Sequence, residues 1–219
     1  MVTKRVVCLA NSRKGGGRCV AGTERDEPHT WIRPVSARPG EAVSFDERKY
    51  ANGTEPQLMD IIDIPLIRAC PAGHQPENWL LDPEAWWVKA GEAGWDDLGE
   101  FAFDGGPLWI NGDASGRGQN NRIAVTRIHE VTDSLRLIHA PHLTVHVSTS
   151  FGDTHVDGEF DFGGTTYKLN VTDPAMETTY RALPNGKYNV GECYLTVSIG
   201  EEFHGYHYKL IAGVITKEG

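Results

Sequence analysis

The chain has 219 residues, four cysteines and a formal net charge of −9 at pH 7. This length is sufficient for one large β domain or for two domains of about 100 residues each, and neither needs disulfide bonds to bury a core. The apolar run after Lys4 and Arg5 is too short for a secretory signal, and no other segment has the length of a membrane span. The composition therefore argues against a disulfide-stabilised secreted protein and predicts a cytoplasmic protein with no membrane partner.

Basic residues are concentrated near the start of the chain. Residues 1–40 contain eight arginines and lysines and three acidic residues, a net charge of +5, which leaves −14 for the remainder. Charged groups act over a Debye length of about 8 Å at physiological ionic strength, so a local basic patch can contact phosphate even on an acidic protein. The acidic remainder disfavours non-specific binding to DNA.

The pattern of the first half predicts three strands, one short helix and a fourth strand. Apolar runs and period-two alternation place these elements at residues 4–10, 19–21, 30–36, 45–51 and 57–69. Ser44 and Glu47 have the spacing of a capping box, so they indicate where the helix begins.

The second half predicts a similar order of elements. Apolar and polar residues alternate on both sides of Gly163 and Gly164, which indicates a β-hairpin over 160–171. Asp173 and Pro174 then suit the start of a helix. Three further strands are expected at 143–149, 194–199 and 206–215. Five strands with a helix between the third and fourth form the OB barrel, which usually holds oligonucleotides or oligosaccharides.

We therefore predict an all-β fold with short helices, made of two OB-like five-stranded barrels in tandem. The first barrel is expected at 1–132 and the second at 133–219. Residues 71–121 are interpreted as an insertion in the first barrel, whose fifth strand would follow at 122–131. The insertion contains five of the six tryptophans, Trp79, Trp86, Trp87, Trp95 and Trp109. These form either the core of a small subdomain or a surface that stacks bases or contacts a protein partner.

The turn between the first two strands is the strongest candidate binding site. It contains three basic residues and three glycines in a row: Arg13, Lys14, Gly15, Gly16, Gly17 and Arg18. Glycine amides that converge on an anion, with cations beside them, form a phosphate-binding nest. The order of residues is not that of a Walker A motif. The alternative interpretation is a flexible, solvated hairpin turn.

Trp31 and Arg33 form a second candidate in the first barrel. Strand alternation places both side chains on one face, with Ile32 on the other. An aromatic ring beside a guanidinium could stack a base and contact a phosphate. The alternative is a half-buried tryptophan that packs under the helix.

The last strand offers a second candidate ligand face, Tyr206, His207, Tyr208 and Lys209. The two tyrosines share one face of the strand, and His207 and Lys209 share the other. We expect one pair to pack in the interior and the other to face a ligand.

Catalytic and metal-binding motifs are absent from the sequence, so we predict a protein that is not an enzyme and has no cofactor. Among the histidines, His142 and His146 would lie about 13 Å apart in a strand, which is too far for one metal ion. The alternating acidic residues at 153–161 are interpreted as a solvated strand face.

Several strings of residues are distinctive when taken together. They are 11–14 (NSRK), 31–36 (WIRPVS), 77–79 (ENW), and 194–198 (YLTVS) with Phe203, Gly205 and 208–210 (YKL). With these strings the sequence resembles the bacterial dual OB-containing domain family over essentially its whole length. The resemblance implies two OB units and nucleic-acid or nucleotide binding, with no catalytic residue assigned.

These observations predict a non-catalytic binding module for single-stranded nucleic acid or a nucleotide. The alternative is a protein-interaction module, or a sensor of a small nucleotide signal, that acts with an effector enzyme. In that case the tryptophan-rich segment would supply the contact with a protein partner.

Overall fold

The computed structural model describes residues 1–217, which divide into two compact units, one over Met1–Ala102 and one that begins at Phe103. Both units are built mainly from β-strands, as the sequence predicts. No helix within residues 1–217 is long and apolar enough to cross a membrane.

The first unit contains six strands and two short helices. In chain order they are β1 (Val2–Lys14), β2 (Gly17–Glu24), β3 (Trp31–Val35), α1 (Phe45–Arg48), β4 (Asp60–Ala69), β5 (Asn78–Leu81), β6 (Val88–Glu92), a 3-10 turn at Trp95–Asp97 and α2 (Leu98–Phe101). The strands neighbour one another in the order β1-β2-β3-β5-β4, and β4 pairs again with β1, so the barrel is closed. The β3–β5 pair is parallel, and α1 connects β3 to β4. This is the predicted OB arrangement.

The second unit repeats that arrangement. Its elements are β7 (Arg122–Ala124), a 3-10 helix at Val125–Glu130, β8 (Leu135–Ser150), β9 (Asp153–Phe162), β10 (Thr165–Val171), α3 (Pro174–Arg181), β11 (Gly186–Phe203) and β12 (Tyr206–Thr216). The order β8-β9-β10-β12-β11 closes through the β11–β8 pair, and β10–β12 is the parallel pair. In this unit β7 is an additional strand on the edge of β12.

Local sequence signals account for the helices and for the barrel interiors. Ser44 and Glu47 form the predicted capping box on α1, with Glu47 N donating to Ser44 Oγ at 3.3 Å and Ser44 N donating to Glu47 Oε2 at 2.8 Å. Asp173 caps α3 by accepting from the backbone N of Ala175 at 2.9 Å. Tyr167 and Leu169 on β10 are fully buried in the second core, because alternation turns them inward.

The boundary between the two units lies after Ala102 and not near residue 132. The fifth strand of the first barrel is β5, which pairs with β3 and β4, whereas Arg122–Ala124 pairs with β12 of the second unit. The four residues of β5 are too few to show an alternation in sequence. Residues 71–121 are therefore not one insertion, because the two units share them.

The tryptophans do not form a subdomain of their own. Trp87 is only 1% exposed in the core of the first unit, and Trp79 packs against the same core. Trp109 packs against the core of the second unit. Trp86 is 53% exposed, so it remains a surface residue.

A buried ion pair lies where the first barrel closes. Arg33 Nη2 is 2.9 Å from Glu77 Oε1, and each side chain is only 4% exposed. The backbone N of Arg33 also donates to the carbonyl of Glu77 at 2.8 Å. Arg33 is paired in register with Asn78, and the parallel contact covers only three residue pairs. The ion pair therefore connects β3 to the start of β5, where backbone hydrogen bonds are few.

Replacing Glu77 with Gln should destabilise the first unit strongly, because it removes a negative charge 2.9 Å from the buried Arg33 guanidinium. We expect the free energy of unfolding to fall by about 3–5 kcal/mol, measured by urea denaturation. Glu92→Gln is the matched control, since Glu92 is 68% exposed in its pair with Lys89, and a change within about 0.5 kcal/mol is expected. Equal stabilities of the two variants would contradict a structural role for the buried pair.

Candidate functional site

The turn between β1 and β2 groups three cations at the surface of the first unit. Lys14 pairs with Gly17 and Arg13 pairs with Arg18 across the hairpin, so Gly15 and Gly16 form the turn itself. Arg13 is exposed, and Lys14 and Arg18 are partly exposed. We call residues 13–18 the basic hairpin. It occupies the loop between the first two strands, which commonly contributes to ligand binding in OB folds.

The three glycines of the basic hairpin do not share one role. A Cβ on Gly17 would lie 2.6 Å from the backbone oxygen of Val43, whereas Gly15 and Gly16 face open space. Arg18 and Val43 exchange two backbone hydrogen bonds of 2.9 Å, which hold the base of the hairpin against the segment before α1. The predicted three-glycine nest is therefore wrong in one respect, because Gly17 belongs to β2 and serves close packing.

The second predicted site combined Trp31 with Arg33, but Arg33 is not at the surface. Its side chain is 4% exposed and is paired with Glu77, so it is removed from any ligand face. Strand alternation correctly placed Arg33 and Ile32 on opposite faces of β3. Both faces are buried, however, since Ile32 is only 1% exposed. Trp31, at the start of the strand, is partly exposed.

Gly17→Ala should weaken the first unit, because the added methyl group forces the hairpin away from the Val43 carbonyl. We expect a loss of about 1–3 kcal/mol in the free energy of unfolding. Gly15→Ala, where nothing lies within 4 Å, should change it by at most about 0.5 kcal/mol. Thermal or urea unfolding of both variants distinguishes the two positions, and indistinguishable curves would mean that Gly17 is not packed as described.

The second unit contains a cleft of about 620 Å³ on its barrel. Its walls come from the ends of β8 and β11, from the middle of β9, β10 and β12, and from a loop at 115–118. The residues that line it are Ser115, Gly116, Arg117, Gly118, Asn121, Ser150, Asp157, Asn170, Gly200, Glu201, Phe203, Tyr208 and Leu210. We call it the second-unit cleft. Strands two and three with the first and last hairpin loops form the usual ligand face of an OB barrel, and the cleft lies there.

One wall of the second-unit cleft is aromatic. Phe203 is 63% exposed and makes an edge contact with Tyr208, at 6.3 Å between ring centroids. Tyr206 follows at 6.5 Å from Tyr208, and the Arg122 guanidinium lies 4.0 Å from the centroid of the Tyr206 ring. Exposed aromatic rings beside arginine are suited to stacking on planar groups.

Another part of the lining carries an arginine held by a buried acid. Arg117 Nε donates to Asp157 Oδ2 at 3.2 Å, and the carboxylate of Asp157 is 4% exposed. The loop that carries Arg117 is fixed by Asn121, whose Nδ2 donates to Ser115 Oγ at 2.8 Å and whose Oδ1 accepts from Ser115 N at 2.9 Å. Arg117 and Asp157 were not candidates in the sequence, because one lies in a glycine-rich loop and the other in a row of alternating acids.

The predicted face on β12 divides as alternation requires. His207 is 7% exposed and Lys209 is 1% exposed, whereas Tyr206 and Tyr208 are partly exposed. One pair therefore packs in the interior, as expected. His207 and Lys209 are not part of a ligand face, because His207 Nδ1 contacts the Gly200 carbonyl at 3.0 Å and Lys209 points into the barrel.

Lys209 anchors residues 108–111 to the second barrel. Its ammonium donates to the carbonyl oxygens of Leu108 and Ile110 at 3.0 and 2.7 Å and to Asn111 Oδ1 at 2.6 Å. Three acceptors match the three N–H donors of a lysine. Burial lowers the pKa of Lys209 to about 7, and the charge of Arg136 acts in the same direction. The segment that leads to the second-unit cleft is thus held by one buried cation.

The stability of the second unit should increase with pH just above neutrality. Lys209 has a pKa of about 7 in the folded chain and 10.5 ordinarily, so between these values the unfolded chain binds more protons. The free energy of unfolding should therefore rise by at most about 1.4 kcal/mol per pH unit. We suggest measuring it between pH of about 7 and 8, below the pKa of about 8.5 at which unfolded cysteine ionises.

Lys209→Met removes this titration and should flatten the slope while lowering stability, because three acceptors lose their donor. Lys187→Met, at an exposed position on β11, should keep the slope of the native chain. A native chain with no slope in this window would contradict the lowered pKa.

The histidines do not assemble a metal site in the part of the chain that the structure describes. His139 Nε2 lies 2.8 Å from Glu192, and His146 lies 3.3 Å from Glu159. Across residues 1–217, no group of three or more His, Cys, Asp and Glu side chains is placed to hold an ion.

Comparison with known proteins identifies one family model. The model described as a dual OB-containing domain matches residues 4–214, which confirms the resemblance noted in the sequence. Searches of curated proteins and of solved structures returned no match.

Proposed function

Because this chain belongs to the dual OB-containing domain family, we propose that it is a non-catalytic module that binds single-stranded nucleic acid or a nucleotide. The observation that carries the proposal is the second-unit cleft, which lies on the usual ligand face of an OB barrel. Its exposed aromatic wall, with Phe203 and Tyr208, suits stacking of bases that are not paired in a duplex.

The basic hairpin of the first unit supports the same proposal. Its three cations are close in sequence and project from a rigid strand pair, and the β1–β2 loop is a second place where OB folds contact ligand. Arg13 and Arg18 are directly opposite each other in the hairpin. Two cations at one position suit a backbone phosphate, because charge-assisted hydrogen bonds to phosphate are strong.

The net charge of the chain limits how it would bind. An overall charge of −9 opposes broad attraction to duplex DNA, so the proposed contacts are local: a few phosphates at the basic hairpin and stacked bases in the cleft. Affinity should then decrease with salt, but with the slope of a few phosphate contacts.

Protein binding is the second candidate function, because one exposed aromatic group is present in the first unit. Trp86 and Phe45 are 53% and 47% exposed. Lys49 Nζ lies 5.5 Å from the ring of Trp86 and 5.8 Å from that of Phe45. Exposed tryptophan is enriched at protein interfaces. Loss of partner binding in Trp86→Ala would favour this candidate.

Replacing Arg13 and Arg18 together with Gln should weaken oligonucleotide binding if the basic hairpin contacts phosphate. We expect a loss of about 1.5–3 kcal/mol for each charged hydrogen bond removed. The dependence of log affinity on log salt should flatten by about one phosphate contact for each arginine. The measurement is fluorescence anisotropy with short single-stranded DNA and RNA at low and physiological salt.

Arg68→Gln is the matched control, since Arg68 is an exposed arginine on β4 of the same unit. It should bind as the native chain does. Identical curves for the double variant and the native chain would remove the basic hairpin from the site. No binding of either oligonucleotide at either salt would overturn the proposal of a single-stranded nucleic-acid ligand.

A further inference from the structure

The second-unit cleft has two chemically different walls. Phe203 and Tyr208 present aromatic rings on the β11–β12 hairpin, and Arg117 presents a guanidinium on the loop at 115–118. A ligand that satisfies both walls needs a planar group at one end and an anion at the other. A nucleotide has both, in its base and its phosphate.

The guanidinium of Arg117 is fixed and still has free donors. Within residues 1–217 its side chain makes one hydrogen bond, from Nε to the buried carboxylate of Asp157, and 42% of the side chain is exposed. A guanidinium has five N–H donors in a planar fork. Both terminal nitrogens therefore remain available for a phosphate, and Asp157 sets the direction in which the fork points.

The charge of the lining limits the anion. Three lining residues are charged, Arg117 with one positive charge and Asp157 and Glu201 with two negative charges. The lining thus has a formal net charge of −1 before any ligand enters. One phosphate can be compensated by Arg117, but each additional phosphate adds repulsion from Asp157 and Glu201, and the lining residues include no second cation.

We infer that the second-unit cleft binds one nucleotide unit with a single phosphate, the base stacked on Phe203 and Tyr208 and the phosphate on Arg117. The volume of about 620 Å³ is within the range of pockets that enclose one small ligand. The inference rests on the proposed function and specifies it: a nucleoside monophosphate, or one phosphodiester unit of a single strand, binds better than a triphosphate.

Calorimetric titration of the full chain with AMP, adenosine and ATP, in the absence of divalent cations, tests the inference. AMP should bind about 10-fold more tightly than adenosine or better, because it adds charged hydrogen bonds, and ATP should bind more weakly than AMP. Arg117→Gln should reduce AMP affinity to that of adenosine and leave adenosine unchanged. Phe203→Ala should weaken AMP and adenosine by a similar factor of roughly five or more.

Two control variants lie in the same unit but outside the cleft. Arg127→Gln removes an arginine that is 51% exposed and paired with Glu130, and Leu183→Ala removes an apolar side chain that is 37% exposed. Both should bind AMP as the native chain does. If Arg117→Gln does not fold, Arg117→Lys keeps a positive charge beside Asp157 but loses the planar fork, and it should bind AMP with an affinity between those of the native chain for AMP and adenosine.

Three results would overturn the inference. They are tighter binding of ATP than of AMP, native AMP affinity in Arg117→Gln or Arg117→Lys, and no AMP binding by a chain that binds single-stranded oligonucleotides. In each case the oligonucleotide measurement decides separately on the proposed function, which fails when the native chain binds neither an oligonucleotide nor a nucleotide.

Discussion

The short parallel strand pair that closes each barrel is the constraint on which the rest of the structure depends. In the first unit β3 meets β5 over three residue pairs, and in the second β10 meets β12 over two. So few backbone hydrogen bonds do not hold a barrel closed alone, and each unit adds other groups at this position. The first uses the buried pair of Arg33 and Glu77. The second uses residues 119–124, where Gln119 exchanges two hydrogen bonds with Lys168 and β7 pairs with β12.

These two ways of closing the barrel give the two units different surfaces. The ion pair of the first unit is 4% exposed on both sides, so its closure is sealed and its candidate ligand contacts lie at the basic hairpin. In the second unit the added segment lies between β10 and β12 before Asn170, where Gln119 bonds with Lys168 and Asn121 bonds with Lys209. The same segment brings Arg117 beside Asp157. A cleft results where the first unit has a buried salt bridge. The two barrels therefore differ in the surface that they offer to a ligand, although their strand order is the same.

Sequence predicted those parts of the fold that are long enough to show a period or that end in a capping residue. The hairpin at 160–171 and the caps Ser44 and Asp173 are confirmed. The boundary was wrong because β5 and β7 have four and three residues, and such lengths show no alternation. Arg33 was wrongly placed at the surface because alternation assigns a face but not its exposure. The Arg117 and Asp157 wall depends on a contact between residues 40 positions apart, which no local pattern indicates.

Residues 103–121, which precede the first strand of the second unit, have two roles. These roles explain why the segment lacks regular structure. Residues 108–111 are tied to the ammonium of Lys209. The side chains of Asn120 and Asn121 tie residues 112–121 to one another, and Asn120 Nδ2 also donates to the carbonyl of Thr166 on β10. A helix would satisfy most of its backbone groups internally and would not need these partners. The irregular chain instead takes its hydrogen bonds from its own asparagine side chains and from the barrel. It can therefore extend the short contact between β10 and β12 and also form a wall of the cleft. Because both roles use the same hydrogen bonds, a ligand that contacts Arg117 adds to the free energy that keeps this segment in place.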